Sequence, residues 1–162
     1  MTSRARLGVL GIVFASALVG SALAGVATVW AQAANPTVTQ RQDTMKAIGR
    51  AFAAVRAYTE DKGDLAAARA GGAELVKLTG NIPALFPQKT GMAEFPGTSY
   101  AKPEIWAQWQ NFNEAAQRAH ARVEALNAAL TAGDKATITA AFQAVGKEGC
   151  TGCHQPFRQP KS

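Results

Sequence analysis

Beyond its first thirty or so residues, the chain repeats hydrophobic positions every three or four residues, the period of helices with one buried face. From Thr37 to about Tyr58, Val38, Met45, Ile48, Phe52 and Val55 share a face with no proline among them, which predicts a first amphipathic helix. Asn35 or Thr37 can cap it, and Pro36 suits its first turn, where the missing N–H has no intrahelical partner to lose. Asp61-Lys62-Gly63-Asp64 breaks the pattern: Gly63 suits a helix exit, and Asp64 can accept hydrogen bonds from the free N–H groups of the next helix. That second helix runs from about Leu65 to Thr79. It carries Leu65, Ala68, Gly72, Leu75 and Leu78 or Thr79 on its buried side, small enough on average for close helix approach.

Residues 81–102 hold Pro83, Pro87, Gly91, Pro96 and Gly97, a density of breakers that excludes a long helix and predicts an extended crossing loop. Leu85, Phe86 and Phe95 are expected to pin it to the core. After Pro103, the positions Ile105, Trp109, Phe112, Ala116, Ala119, Val123, Leu126 and Leu130 step by four and three, a seam suited to bundle packing. Gly133 ends this third helix, and Asp134 caps a fourth, in which Ile138, Phe142 and Val145 continue the spacing. No stretch alternates as a strand would. The fold class expected is all-α: an antiparallel up-and-down four-helix bundle with one long loop between helices two and three.

The N-terminus belongs to another pattern. Arg4 and Arg6 precede an uncharged apolar run from Leu7 to Trp30, and Ala31-Gln32-Ala33 follows with the small-x-small spacing of a signal-peptidase site. Residues 1–33 read as an export signal and 34–162 as the folded domain; the alternative is an uncleaved membrane anchor, for which the run is long enough. Across all 162 residues the net charge is +6, from Lys+Arg 17 against Asp+Glu 11, and loss of Arg4 and Arg6 would leave +4. No basic run tracks a phosphate backbone, so nucleic acid is not an expected partner. Lys46, Lys77, Lys147 and Lys161 are too scattered to mark a docking patch, although they can steer an acidic redox partner.

Cys150 and Cys153 are the only cysteines, too close together to brace a fold. They stand in Cys150-Thr151-Gly152-Cys153-His154, and C-x-x-C-H is the attachment sequence of c-type haem, in which both sulfurs bond the porphyrin edge and the histidine meets the iron. Three alternatives compete. A structural zinc site needs four ligands, and the other histidine, His120, lies off the third helix's seam, where it is expected to face solvent. A thioredoxin-like pair needs a βαβ setting. A disulfide over so short a loop adds little stability and leaves His154 without a role.

With these residues in view, the chain resembles the cytochrome c′ family of class II c-type cytochromes. The resemblance rests on Arg41-Gln42-x-x-Met45-Lys46-x-Ile48-Gly49, Leu85-Phe86-Pro87, Ala101-x-Pro103-x-Ile105-Trp106 and Cys150-x-x-Cys153-His154-x-x-x-Arg158, spread over nearly all of the domain. It implies one covalently attached haem c per chain, with Cys150 and Cys153 as thioether anchors and His154 as proximal iron ligand. It places Met45 at the distal position, the arrangement of the family's low-spin members; the alternative for Met45 is packing alone. It also places Arg41 and Gln42 near the haem propionates, with a snorkelling arginine as the alternative. Arg158, four residues after His154, would share its helical face and touch the haem edge, or else face solvent at a fraying end. Trp109 is assigned to the core seam and Trp106 to securing the loop. The function these features imply is a periplasmic one-electron carrier rather than an enzyme, with redox partner proteins unidentified. The alternative is a five-coordinate, high-spin cytochrome c′ that binds small gases such as nitric oxide or carbon monoxide. Family members often pair through their first two helices, so a homodimer stays open.

Overall fold

A computed structural model describes residues 35–160. The expected export signal lies outside the described residues, as does Lys161. The described chain forms α1 (Pro36–Thr59), α2 (Leu65–Thr79), a short 3-10 turn (Ile82–Leu85), α3 (Glu104–Ala107), α4 (Trp109–Ala132), α5 (Lys135–Ala144), a π-helical segment (Val145–Thr151) and α6 (Gly152–Phe157). α1 packs on α2, α2 on α4, α4 on α5 and its continuation, and α5 back on α1. The ring closes as an antiparallel four-helix bundle, whose fourth rod runs from α5 through the π-helical segment into α6. Among the described residues no helix is long and apolar enough to cross a membrane.

The helix starts follow from local hydrogen bonding. Asn35 caps α1 by accepting from the N–H groups of Thr37 and Val38; Asp64 accepts from Ala67 N–H and Asp134 from Thr137 N–H at the starts of α2 and α5. The exit of α1 differs from expectation. Asp61, not Gly63, takes the left-handed conformation (φ 58°), a geometry that aspartate tolerates better than most residues. Gly133 (φ 89°) ends α4 as expected.

Two further expectations need correcting. The third rod is broken at Gln108 (φ −124°, ψ 47°), so α3 and α4 are not one helix. The four-residue step from Ile105 therefore does not carry to Trp109, which is 40% exposed and leans on Phe112, while Ile105 and Phe112 are each 1% exposed. His120 does not simply face solvent: it is half-buried, its Nδ1 lies 2.8 Å from Thr79 Oγ1, and Glu124 is beside its Nε2. Because the Thr79 hydroxyl donates to Leu75 O, it is placed to accept from a protonated Nδ1. The loop contacts fare better: Phe86 is buried, and Trp106 secures it by donating from Nε1 to Phe86 O.

The core falls into two clusters. One gathers Val55, Leu75, Leu126, Leu130, Ile138 and their neighbours; the other gathers Ile82, Phe86, Ile105, Phe112, Phe157 and theirs. Close approach of α1 and α2 depends on Gly71, where an added Cβ would stand 2.7 Å from Ala51 O, a backbone atom that cannot swing aside. Gly71→Ala is therefore expected to destabilise: overpacking costs roughly 1–3 kcal/mol and outweighs the ~1 kcal/mol helix advantage of alanine. Gly49 has nothing within 4 Å of its Cβ direction, so Gly49→Ala should instead stabilise by up to about 1 kcal/mol. Urea unfolding of the two variants checks the opposite signs.

Candidate functional site

Between the two core clusters lies a cavity of about 560 Å³, well inside the range of small-molecule sites. Its walls are largely apolar: Phe52 from α1, Leu75 from α2, Phe112 and Val123 from α4, Val145 and Phe157 from the fourth rod. Met45, Cys150, Cys153 and His154 all line it, brought together from opposite ends of the sequence. Met45 is half-buried near the middle of α1 and packs against the second cluster.

Cys150 sits inside the π-helical segment and Cys153 in the first turn of α6, and no disulfide joins them. Burial pushes the Cys153 thiol up to about 11, with the charge of a Cys150 thiolate adding to the effect and Arg118 opposing it. Burial likewise raises Cys150. Thiols held protonated at neutral pH are poor exchange nucleophiles, which speaks against a thioredoxin-like pair. Among the described residues no three His, Cys, Asp or Glu side chains converge, so a closed zinc site finds no ligand set here. His154 lies on the outward side with part of its surface in solvent; the protein around it and, secondarily, Arg158 hold its imidazole below the usual range. A neutral imidazole is the form that binds a metal.

Arg41 and Gln42 line the same cavity, but their hydrogen bonds go to the loop. The Arg41 guanidinium is 5% exposed and donates to Thr90 O (2.9 Å) and Ser99 Oγ (2.8 Å), with longer contacts to Leu85 O and Thr90 Oγ1. It lies 4.5 Å from the Phe86 ring centre, so it is a buried clamp and not a snorkelling side chain. Burial lowers its pKa. Gln42 donates to Thr98 O at 2.6 Å.

Arg158, four residues after His154, keeps the helical hydrogen bond from its N–H to His154 O (2.9 Å). It is the extended residue after α6 (φ −122°, ψ 132°), and a bridge to Ala101 straps it to the loop, with Lys102 N–H donating to Phe157 O and Gln159 N–H to Tyr100 O. The C-terminal end is therefore tied down, and Arg158 reaches the cavity rim from there. Periodicity also did not mark Thr79, Ile82 and Ala119 as cavity residues; the two helical ones among them lie on seams that look like ordinary core. The widened turn at Val145–Thr151 was missed as well, and its one trace in the sequence is the spacing of Gly146, Gly149 and Gly152.

Apolar walls, two adjacent thiols, the neighbouring imidazole and a thioether on the same cavity form a donor set that fits a covalently held haem. The family model for cytochrome c′ matches residues 36–158. The chain is similar to the cytochrome c′ of Pararhodospirillum photometricum, 33% identical over 124 residues that cover 75% of this chain and 95% of the relative. It is also similar to cytochrome c-556 of Agrobacterium tumefaciens (strain II Chrys), 31% identical over 128 residues, 76% of this chain and 98% of that one. Among solved structures, a nitric oxide complex of a cytochrome c prime variant from Alcaligenes xylosoxidans aligns with a TM-score of 0.66 at 29% identity, covering 77% of this chain and 94% of its own.

Proposed function

Since this chain belongs to the cytochrome c′ family and carries that family's covalently attached haem c, we propose that it is an exported, periplasmic one-electron carrier with His154 and Met45 on the two faces of the iron. The observation that carries this reading is the position of Met45, on the cavity wall shared with Cys150, Cys153 and His154. When bound, haem supplies a one-electron couple, and a methionine thioether opposite histidine raises its potential.

The protein's own residues divide the work. Cys150 and Cys153 would anchor the porphyrin edge, and His154, whose imidazole is held below its usual range by burial and by Arg158, would offer its nitrogen. Met45 would present its sulfur from a helix held at its start by Asn35 and, one turn before Met45, by the Arg41 clamp, so little movement accompanies a change of charge at the site. Arg41 and Gln42 stand where they can face the propionates while holding the loop, and Arg158 where it can tune the rim near His154. The protein would turn over no substrate, would exchange electrons with redox partner proteins and would be able to pair as a homodimer. Residues 1–33 would serve as the export signal, or as an anchor if retained.

The comparisons favour a second reading over this one, in which the site binds a small gas: cytochromes c′ stand among the curated relatives, and the solved relatives include nitric oxide complexes. In that case Met45 only packs beside an open iron. The visible spectrum of the ferrous protein, recorded with and without carbon monoxide, separates the two. Sharp low-spin bands that ignore the gas are expected; a broad high-spin spectrum that shifts at once would hand the function to gas binding.

A further inference from the structure

We infer that the π-helical segment Val145–Thr151 is a register device that turns the haem motif into the cavity, and that Thr151 is the positioning residue that clasps it. A widened turn absorbs one extra residue, displacing everything after it by about 100° around the axis relative to an unbroken α-helix. The burial pattern carries this displacement. Continued at α-helical spacing from Ile138 and Val145, the inward face would pass through Gly152 and then Gln155 or Pro156, all of which are exposed. Instead Gly149, Cys150, Cys153 and Phe157 face inward, the same series moved on by one residue beyond the π-helical turns. Without the shift Cys153 and Phe157 would leave the cavity.

The segment's contacts suit the widened form. Gly146, Gly149 and Gly152 leave the backbone of this segment free of side-chain constraint. Gly149 also meets α4 closely, since a Cβ there would stand 3.4 Å from the Ala119 Cα. The Thr151 hydroxyl donates to Gly146 O, five residues earlier, at 3.1 Å, and so spans the widened turn. Glu148 pairs with Arg122 and ties the outer side of the segment to α4. Both polar contacts are at exposed positions, where they bury nothing and act on register instead. The inference holds whichever ligand faces His154.

Deleting Lys147, an exposed residue within the segment, removes the extra residue. In the haem-loaded protein the deletion should keep its far-ultraviolet helical signal but lose most of its Soret circular dichroism, which reports a haem seated in an asymmetric protein environment. An alanine inserted after Ala144 in the deletion variant should restore it. A deletion variant that keeps both signals overturns the inference, as does one that the alanine fails to restore. If the deletion does not fold, the Thr151 pair decides: Thr151→Val should lose its Soret signal at a lower temperature than its helical signal, while Thr151→Ser keeps the two together. Coincident melting of Thr151→Val, as in the parent, is the overturning result.

Discussion

Replacing Met45 by leucine should turn a low-spin ferrous protein that ignores carbon monoxide into a high-spin one that binds it. Leucine is close to methionine in volume and the position is half-buried, so the substitution should cost less than about 1.5 kcal/mol in stability. What it removes is the sulfur lone pair. If Met45 occupies the iron in all but about one molecule in a hundred, its removal raises the apparent affinity for the gas about 100-fold, because affinity scales with the fraction of open sites. Equilibrium titration of the ferrous variant and its parent measures that ratio. A ratio near one, with both proteins low-spin, means that another side chain holds the iron; with both high-spin, it means that Met45 only packs.

The second large effect belongs to Arg41. Arg41→Met keeps much of the apolar stem but removes the charge-assisted bonds to Thr90 O and Ser99 Oγ and the stacking over Phe86. Thr90 O retains a donor in the Ser99 hydroxyl, whereas the contact to Leu85 O is lost outright. Hydrogen bonds from a charged group are worth about 1.5–3 kcal/mol each, and relief of the buried charge returns part of that, which leaves a net loss of roughly 3 kcal/mol. The loss should be local first: amide exchange at residues 85–101 should speed up well before the bundle as a whole loosens. A loss below about 1 kcal/mol with unchanged exchange in the loop would remove Arg41 from its role as clamp.

The long loop was legible as a loop because of its prolines and glycines, but not as a structure clamped from within. A buried arginine carries no periodic signal: Arg41 falls on the apolar face of α1, and whether it is a clamp or a covering side chain depends on Thr90 and Ser99, more than forty residues away. Trp109 shows the opposite failure. Its spacing was that of a core residue, and a single break at Gln108 put it in solvent. His120 was misplaced for a third reason, since its partner Thr79 lies at the end of another helix.

By itself the sequence determined the helical class, most helix ends and the haem chemistry. Those depend on local quantities: the 3.6-residue period, side chains that cap their own helix, and ligands packed into five consecutive residues. Only the tertiary structure decided where that chemistry points. The cavity exists because two core clusters from four rods leave space between them, and Met45 meets Cys150, Cys153 and His154 there although a hundred residues of chain separate them. The turn of the motif toward that space was likewise decided in three dimensions. A π-helical register costs more than an α-helical one in isolation, and it persists where packing against α4 and burial of Cys153 and Phe157 outweigh the difference.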